Sequence, residues 1–518
     1  MTTSLAWLAA IGPLALYAAA FTNGDAKRAR FLSRSAALVA LATAVGSTLV
    51  VVHSGRLASG TIGPGGIGLA LQLDALSAAM ATLVSFIGLV VIDYARNYLD
   101  GDPGQARFMR GLCVTLASVL LFILSGNMLQ LWLAWMATSA GLHSLLLFYP
   151  DRQAAVLAAR KKWLAGRLGD LCLLGAMLAA YRGVGSLDYN AVLSSSAWPG
   201  ATTAAVLVVL AALSKSAQFP LHGWLTEVME TPTPVSALLH AGVINAGGIL
   251  VLRFSPLIGH AEPALLLLMI VGGITALFGS VTMLPQTSVK ASLAYSTIAQ
   301  MGFMMLECGL GAFSAAALHI IAHSLYKAHA FLTSGSVIDI ARAAWTPRLG
   351  YKPHPDRLVL AIGVALAFVA AAALAFGETA AQPGILVLAA VLALGLVPLL
   401  ANAFDERPDL YVIGRSVAVA ATLAIAYFAL QRASAAVFSG VVTNAPALGS
   451  IGWLALAAIV AAFAGLTALQ ALLPKLAPTP LWQALYAHTA NGFYINTYVN
   501  RLILKAWPAG SAKTALGG

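Results

Sequence analysis

Some fifteen apolar runs, most of them about as long as a bilayer crossing requires, follow one another along the chain with little between them. They fall at 4–21, 35–53, 73–95, 110–126, 128–149, 163–181, 202–225, 234–255, 262–284, 289–306, 311–338, 358–376, 383–403, 410–430 and 450–473. Lipid offers backbone N–H and C=O groups no hydrogen-bond partners, so such a run must satisfy them within itself as a helix. The pattern therefore predicts an all-α polytopic membrane protein with about 15 transmembrane helices. Only 9% of the 518 residues are charged, against about a quarter in soluble chains. That difference excludes an ordinary soluble enzyme, a disordered chain and a coiled coil.

The distribution of charge sets the orientation. Of the 29 Lys and Arg residues, 22 fall in alternate loops and the C-terminal stretch, four in the other loops and three within spans. Cytoplasmic loops carry the excess of basic residues. The N-terminus is thus expected outside and the C-terminus inside. The net charge of +11 is spread over these loops, so it marks lipid contact and gives no reason to expect a nucleic-acid partner. Residues 4–21 lack the preceding positive charge of a signal peptide, and Lys27, Arg28, Arg30 and Arg34 come after them. They are expected to be retained as the first span. Cys113, Cys172 and Cys308 each lie in an apolar run, and are expected to be buried thiols without a disulfide or metal role.

Charged residues within spans are costly to insert and are candidates for function. Lys215 precedes Pro220 by five residues. Proline lacks an N–H, so a helix breaks near it and frees backbone to line a wet cavity. This suits an ion path; the other reading is a structural kink in which Lys215 pairs with an acid. His240 follows Pro234, a residue suited to a first helical turn, and reads either as packing or as a relay. His319, His323 and Lys327 are spaced four and four apart, which aligns them on one helix face. The set lacks a H-E-x-x-H pattern and an obvious third ligand, so a proton wire is the better reading than zinc. Arg167 and Asp170, at i and i+3, form either a structural pair or a gate that orients Lys215. The aromatic and basic stretch 474–518 is either an interfacial helix or a docking surface for a cytoplasmic partner.

These residues form a recognisable set. Lys215-Ser216-Ala217-Gln218-Phe219-Pro220-Leu221-His222 and Pro232-Thr233-Pro234-Val235-Ser236-Ala237-Leu238-Leu239-His240 closely resemble the antiporter-like membrane subunits of respiratory complex I and Mrp antiporters. Leu73-Asp74-Ala75-Leu76-Ser77, Arg167-Leu168-Gly169-Asp170, Leu293-Ala294-Tyr295-Ser296-Thr297 and the His319/His323/Lys327 face extend the match over roughly 70–340. The resemblance implies two inverted five-helix repeats with broken helices, and a polar axis that carries cations at mid-membrane. It assigns Lys215, His240, His319, His323 and Lys327 to the proton path. On this reading 1–70 are N-terminal spans, 71–403 the antiporter-like core, 404–473 C-terminal spans and 474–518 a cytoplasmic or interfacial tail.

The departures from that family narrow the choice. Its fifth helix usually carries Trp-Glu, where this chain has Trp135-Met136; His143 is then the nearest titratable group. No Lys or Arg occurs in 358–403, where the second broken helix usually has a lysine, and Glu378 is expected in a loop. One branch fits better: the sequence resembles the DabB membrane subunits of DAB inorganic-carbon accumulation systems. Leu239-His240-Ala241-Gly242-Val243-Ile244-Asn245-Ala246-Gly247-Gly248 and the tail His488-Thr489-Ala490-Asn491-Gly492-Phe493-Tyr494 support this. The resemblance implies a DabA-like soluble partner on the cytoplasmic side. That partner would hold the zinc, this chain would hold no cofactor, and cation flow would power carbonic-anhydrase-like hydration of CO2 to bicarbonate. Two alternatives stay open: a subunit of complex I, a membrane hydrogenase or an Mrp antiporter, and a non-conducting scaffold for a soluble partner.

Overall fold

The computed structural model describes residues 6–22, 24–194, 197–335, 355–377, 383–404, 410–443, 449–476 and 478–507. Its helices begin with α1 (Ile11–Phe21), α2 (Ala26–Ser54), α3 (Ala75–Tyr98), α4 (Gln105–Ile123), α5 (Met128–Leu146), α6 (Gln153–Val184) and the short α7 (Tyr189–Leu193). The centre holds α8 (Ala201–Lys215), α9 (Gly223–Glu227), α10 (Thr233–Ala241), α11 (Ala246–Arg253) and α12 (Ser255–Ile258). There follow α13 (Glu262–Met283), α14 (Val289–Gly309), α15 (Phe313–Leu332), α16 (Pro355–Ala375), α17 (Pro383–Ala403), α18 (Leu410–Phe438) and α19 (Ser450–Leu476). The tail contributes α20 (Pro480–Ala490) and α21 (Ile495–Ala506). The chain is an all-α polytopic membrane protein. Among the described residues, nine helices are long and apolar enough to cross a bilayer. One small hairpin, β1 (Leu57–Ala58) with β2 (Gln72–Leu73), closes the α2–α3 connection.

The helix ends follow local chemistry. Asp25 accepts from Arg28 N at 2.9 Å to start α2, and Asn127 accepts from Leu129 N at 3.0 Å to start α5. Asp74 opens α3 with a reciprocal capping box, accepting from Ser77 N while the Ser77 hydroxyl accepts from Asp74 N. Gly185 closes α6 at φ +75°, a left-handed conformation that costs glycine least.

Packing sets which helices are central. One continuous apolar core runs from α1 to α15, while α16, α17 and α18 share a second cluster around Ala365, Leu400 and Phe428. A third, built from Met269, Leu306, Leu310, Val387, Leu456 and Ile459, joins α13 and α14 to α17 and α19. Helices α13 and α14 touch backbone to backbone: a Cβ on Gly302 would collide with the peptide around Ala276. Without a hydrophobic drive in lipid, such close contact between small residues is how helices associate. The segment 233–253 is buried along its whole length, so its polar residues face protein.

Two interruptions occur in that centre. The run 202–225 ends its first helix at Lys215, crosses irregular backbone with Ala217 at φ +49°, and resumes as α9. This break matches the expectation from Pro220. The run 234–255 also breaks, at Gly242–Asn245, between α10 and α11. No proline marks that break. Helix α17 continues through Pro398. Lys161 and Lys162, expected in a loop, are buried within α6, because that helix starts at Gln153, ten residues ahead of the apolar run. Cys113 and Cys308 are buried as expected, whereas Cys172 is half-buried. Glu378 lies outside the described residues.

A buried ion pair ties the start of α3 to the end of α11. Arg253 grips both carboxylate oxygens of Asp74, with Nη2 3.2 Å from Oδ1, and Gln72 Nε2 donates to Oδ2 at 2.8 Å. Removing one partner of a buried pair leaves the other charge uncompensated, which costs about 3–5 kcal/mol. Asp74→Ala is therefore expected to lower the thermal unfolding midpoint in detergent sharply. The double variant Asp74→Ala with Arg253→Met should recover much of the loss. A single variant as stable as the parent would remove this pair from the account of stability.

Candidate functional site

The first polar cluster surrounds the break after α8. Lys215 is buried, its Nζ donates to Trp135 O at 2.9 Å, and it sits 3.7 Å from the centroid of the Trp135 ring. Its direct partner is thus a backbone carbonyl and an aromatic face on α5, in the helix where Met136 stands. One turn along, Ser139 O accepts from Lys162 Nζ. Two successive turns of α5 therefore each take an ammonium group on a main-chain oxygen. Asp170 supplies the acid: Arg167 Nη2 lies 2.6 Å from its Oδ2, and the carboxylate interacts electrostatically with Lys215 and Lys162 as well. Trp132 Nε1 donates to Asp170 O at 3.0 Å, which fixes this stretch of α6 against α5. His143, half-buried on α5, interacts with Lys162 and Arg167, and its Nδ1 meets no partner among the described residues. Three cations thus surround one carboxylate, with a neutral-capable imidazole beside them.

The second cluster lies between α10, α14 and α15. His240 Nδ1 is 2.9 Å from Thr297 Oγ1, and its ring stacks on Phe331 at 4.3 Å between centroids. His319, His323 and Lys327 occupy one face of α15, as their spacing predicts. Lys327 is fully buried and donates to Leu293 O at 3.1 Å. His323 is buried with neither ring nitrogen paired among the described residues, and its ring lies 6.1 Å from that of His319. His319 Nδ1 meets Glu307 Oε2 at 3.0 Å. Glu307 sits near the end of α14 and is buried; the expected span 289–306 stopped one residue short of it.

The structure brings His240, His319, His323 and Lys327 together and leaves Lys215 in the other cluster. Hydrogen bonds through the two breaks connect them. Ser216 Oγ donates to Ile244 O at 3.1 Å, and Asn245 Nδ2 donates to Ser324 Oγ at 2.8 Å, on the turn of α15 between His323 and Lys327. Both interruptions therefore serve one polar seam. Sequence reasoning missed Lys162, Glu307 and Asn245. Among the described residues, no three His, Cys, Asp or Glu side chains are placed to hold a metal ion together.

The tail packs against the end of α9 that follows the Lys215 break. Asn496 and Asn500 on α21 both donate to Glu227 Oε1, at 2.8 and 2.7 Å, and Lys161 Nζ reaches the same oxygen at 2.8 Å. Arg160 donates to Trp507 O at 2.6 Å and lies over the Trp507 ring. Glu227 ends α9, directly after the Lys215 break, so tail and broken helix share one carboxylate.

Residues 125–345 match the family described as "NADH:quinone oxidoreductase/Mrp antiporter, TM", and 61–109 match "NADH-Ubiquinone oxidoreductase (complex I), chain 5 N-terminus". The chain is 39% identical over 513 residues to "Probable inorganic carbon transporter subunit DabB2" of Halothiobacillus neapolitanus, covering 95% of this chain and 90% of that one. It is 49% identical over 270 residues to "Probable inorganic carbon transporter subunit DabB" of Hydrogenovibrio crunogenus, a match spanning about half of each chain (51% and 52%). Among solved structures, the Mrp complex from Dietzia sp. DQ12-45-1b matches with a TM-score of 0.57 at 25% identity, covering 97% of this chain and 56% of that one. With 39% identity to one relative across 95% of this chain and 90% of that one, this chain belongs to the DabB family of inorganic carbon transporter subunits, within the antiporter-like membrane family of complex I and Mrp.

Proposed function

We propose that the chain conducts cations, protons before sodium, across the bacterial inner membrane and powers a soluble partner that handles inorganic carbon. The observation that carries this reading is Lys215: a buried ammonium at a helix break, held by a carbonyl and shared electrostatically with Asp170. Such a group can give up and regain a proton without losing its place. Its proton would pass through the seam at Ser216 and Asn245 to Lys327, His323 and His319, with His240 beside them. Imidazoles titrate near neutral pH and pass protons on either nitrogen. Arg167 and Asp170 would gate Lys215, since any movement of their pair changes the charge that it meets, and His143 would support the same cluster. The N-terminus is outside and the C-terminus inside on this reading, in keeping with the loop charges.

The partner reading rests on the relatives, which are named inorganic carbon transporter subunits. The partner would be DabA-like: a soluble, cytoplasmic subunit with the zinc and the carbonic-anhydrase-like chemistry, this chain having no active site for carbon. The tail, fastened to Glu227 beside the break, offers a mechanical link between such a partner and the path. A subunit of complex I or of an Mrp antiporter is the second reading, favoured by the matching family; Met136 and the Lys-free 358–403 stretch weigh against it. Affinity purification of the tagged chain, followed by mass spectrometry and metal analysis, separates them. The expected product is one particle with a zinc-bearing, carbonic-anhydrase-like subunit, and deletion of 474–518 should release or uncouple that subunit while the spans still insert. Recovery of quinone-oxidoreductase subunits in its place would favour the second reading.

A further inference from the structure

Glu307 stands where the wire on α15 would otherwise end. Helix α14 runs from Val289 up to Gly309, the chain turns, and α15 returns from Phe313. Glu307 and His319 therefore lie near the turn, while Lys327 lies about 12 Å deeper along α15, eight residues on from His319. By the loop charges, the turn is at the outer side. Glu307 is buried, flanked by Leu306 on the same helix and by Leu310 just past its end, both of an apolar cluster, and its Oε2 meets His319 Nδ1 at 3.0 Å. His319 in turn neighbours His323, whose two ring nitrogens have no partner among the described residues. An acid placed in a span is costly to insert and is kept when it faces a path or a partner charge. No Lys or Arg from 358–403 is present to take that place.

We infer that Glu307 is the outer proton-binding carboxylate of the chain, the group that exchanges protons between outside water and the His319–His323–Lys327 wire. The inference rests on the proposed reading of the chain as a proton conductor. Glu307 takes a proton from hydronium at the outer side: an O–H bond forms on Oε2 and the carboxylate becomes a neutral acid. That O–H bond then breaks as an N–H bond forms on His319 Nδ1, giving a carboxylate and an imidazolium. His319 passes the proton on from its other nitrogen to His323, and charge is conserved at each transfer. His319 both orients Glu307 through their 3.0 Å contact and is the next carrier of its proton.

The test uses the full-length chain in sealed vesicles with an entrapped pH dye, under an imposed pH gradient and potassium diffusion potential. Glu307→Gln keeps the shape and a hydrogen bond to His319 but cannot bind a proton. It is expected to lower proton flux at least tenfold, and Glu307→Asp should restore a large part of it. Infrared difference spectra between acid and alkaline buffer should show a carboxylic-acid band that Glu307→Gln removes. Wild-type flux in Glu307→Gln, an Asp variant as inactive as the Gln variant, or an unchanged carboxyl spectrum in Glu307→Gln would each overturn the inference while leaving the conducting reading intact. Wild-type vesicles without proton flux would defeat the conducting reading, and this inference with it.

Discussion

Lys215→Ala is expected to abolish function while the protein still inserts and accumulates. Lys215 is a buried cation at the α8 break, held on the Trp135 carbonyl, and on the proposed reading it is the proton carrier there. A positioned proton-transfer group typically contributes about 100-fold or more to a transfer rate. Flux should fall by at least that factor. Folding should suffer little, because replacing a buried charge by an apolar side chain also removes its desolvation cost. The Trp135 carbonyl that accepts from Nζ still has its place within α5. The check is growth at low CO2 of a host that depends on the chain, with membrane levels followed by immunoblot. Normal growth of the variant would remove Lys215 from the path.

The second large effect concerns α15. His323→Ala and Lys327→Ala are each expected to cut transport at least tenfold, and the double variant should be little worse than either alone. Groups that carry the same proton in sequence fail together, so their free-energy effects do not add. The geometry is favourable to that outcome: His323 and Lys327 lie one turn apart, both buried, and interact electrostatically with each other and with His240. Independent packing roles would give additive losses, seen as a double variant about tenfold worse again than either single. Initial transport rates for the four proteins, at matched membrane levels, distinguish the two.

The fold was legible because bilayer length is a crude, redundant signal that one apolar run after another repeats. The first break was legible as well, since Pro220 cannot continue a helix beside Lys215. The second was not. Gly242 and Asn245 also occur in intact helices, and the Asn245 bond to Ser324 across 79 residues is a tertiary contact. Lys162 was hidden by its neighbours: Arg160-Lys161-Lys162 has the look of a loop cluster, and only the early start of α6 at Gln153 carries it into the protein. Glu307 was hidden by its position at the margin of an apolar run. Its meaning depends on the α14–α15 turn, which folds it against His319. The spacing of His319, His323 and Lys327 was readable because helical periodicity alone puts them on one face. An interfacial helix or a docking surface is as far as the tail's composition reaches; the Asn496 and Asn500 bonds to Glu227 are tertiary, since nothing local pairs α21 with α9.

Proton movement through the wild-type chain in sealed vesicles, compared with Lys215→Ala at equal protein content, tests conduction most directly. With potassium and valinomycin setting an inside-negative potential and an entrapped dye reporting internal pH, wild-type vesicles should acidify and Lys215→Ala vesicles should match protein-free ones. Equal acidification by the two proteins would contradict a path through Lys215, and no acidification by the wild type, alone or with its co-purified partner, would contradict cation conduction itself.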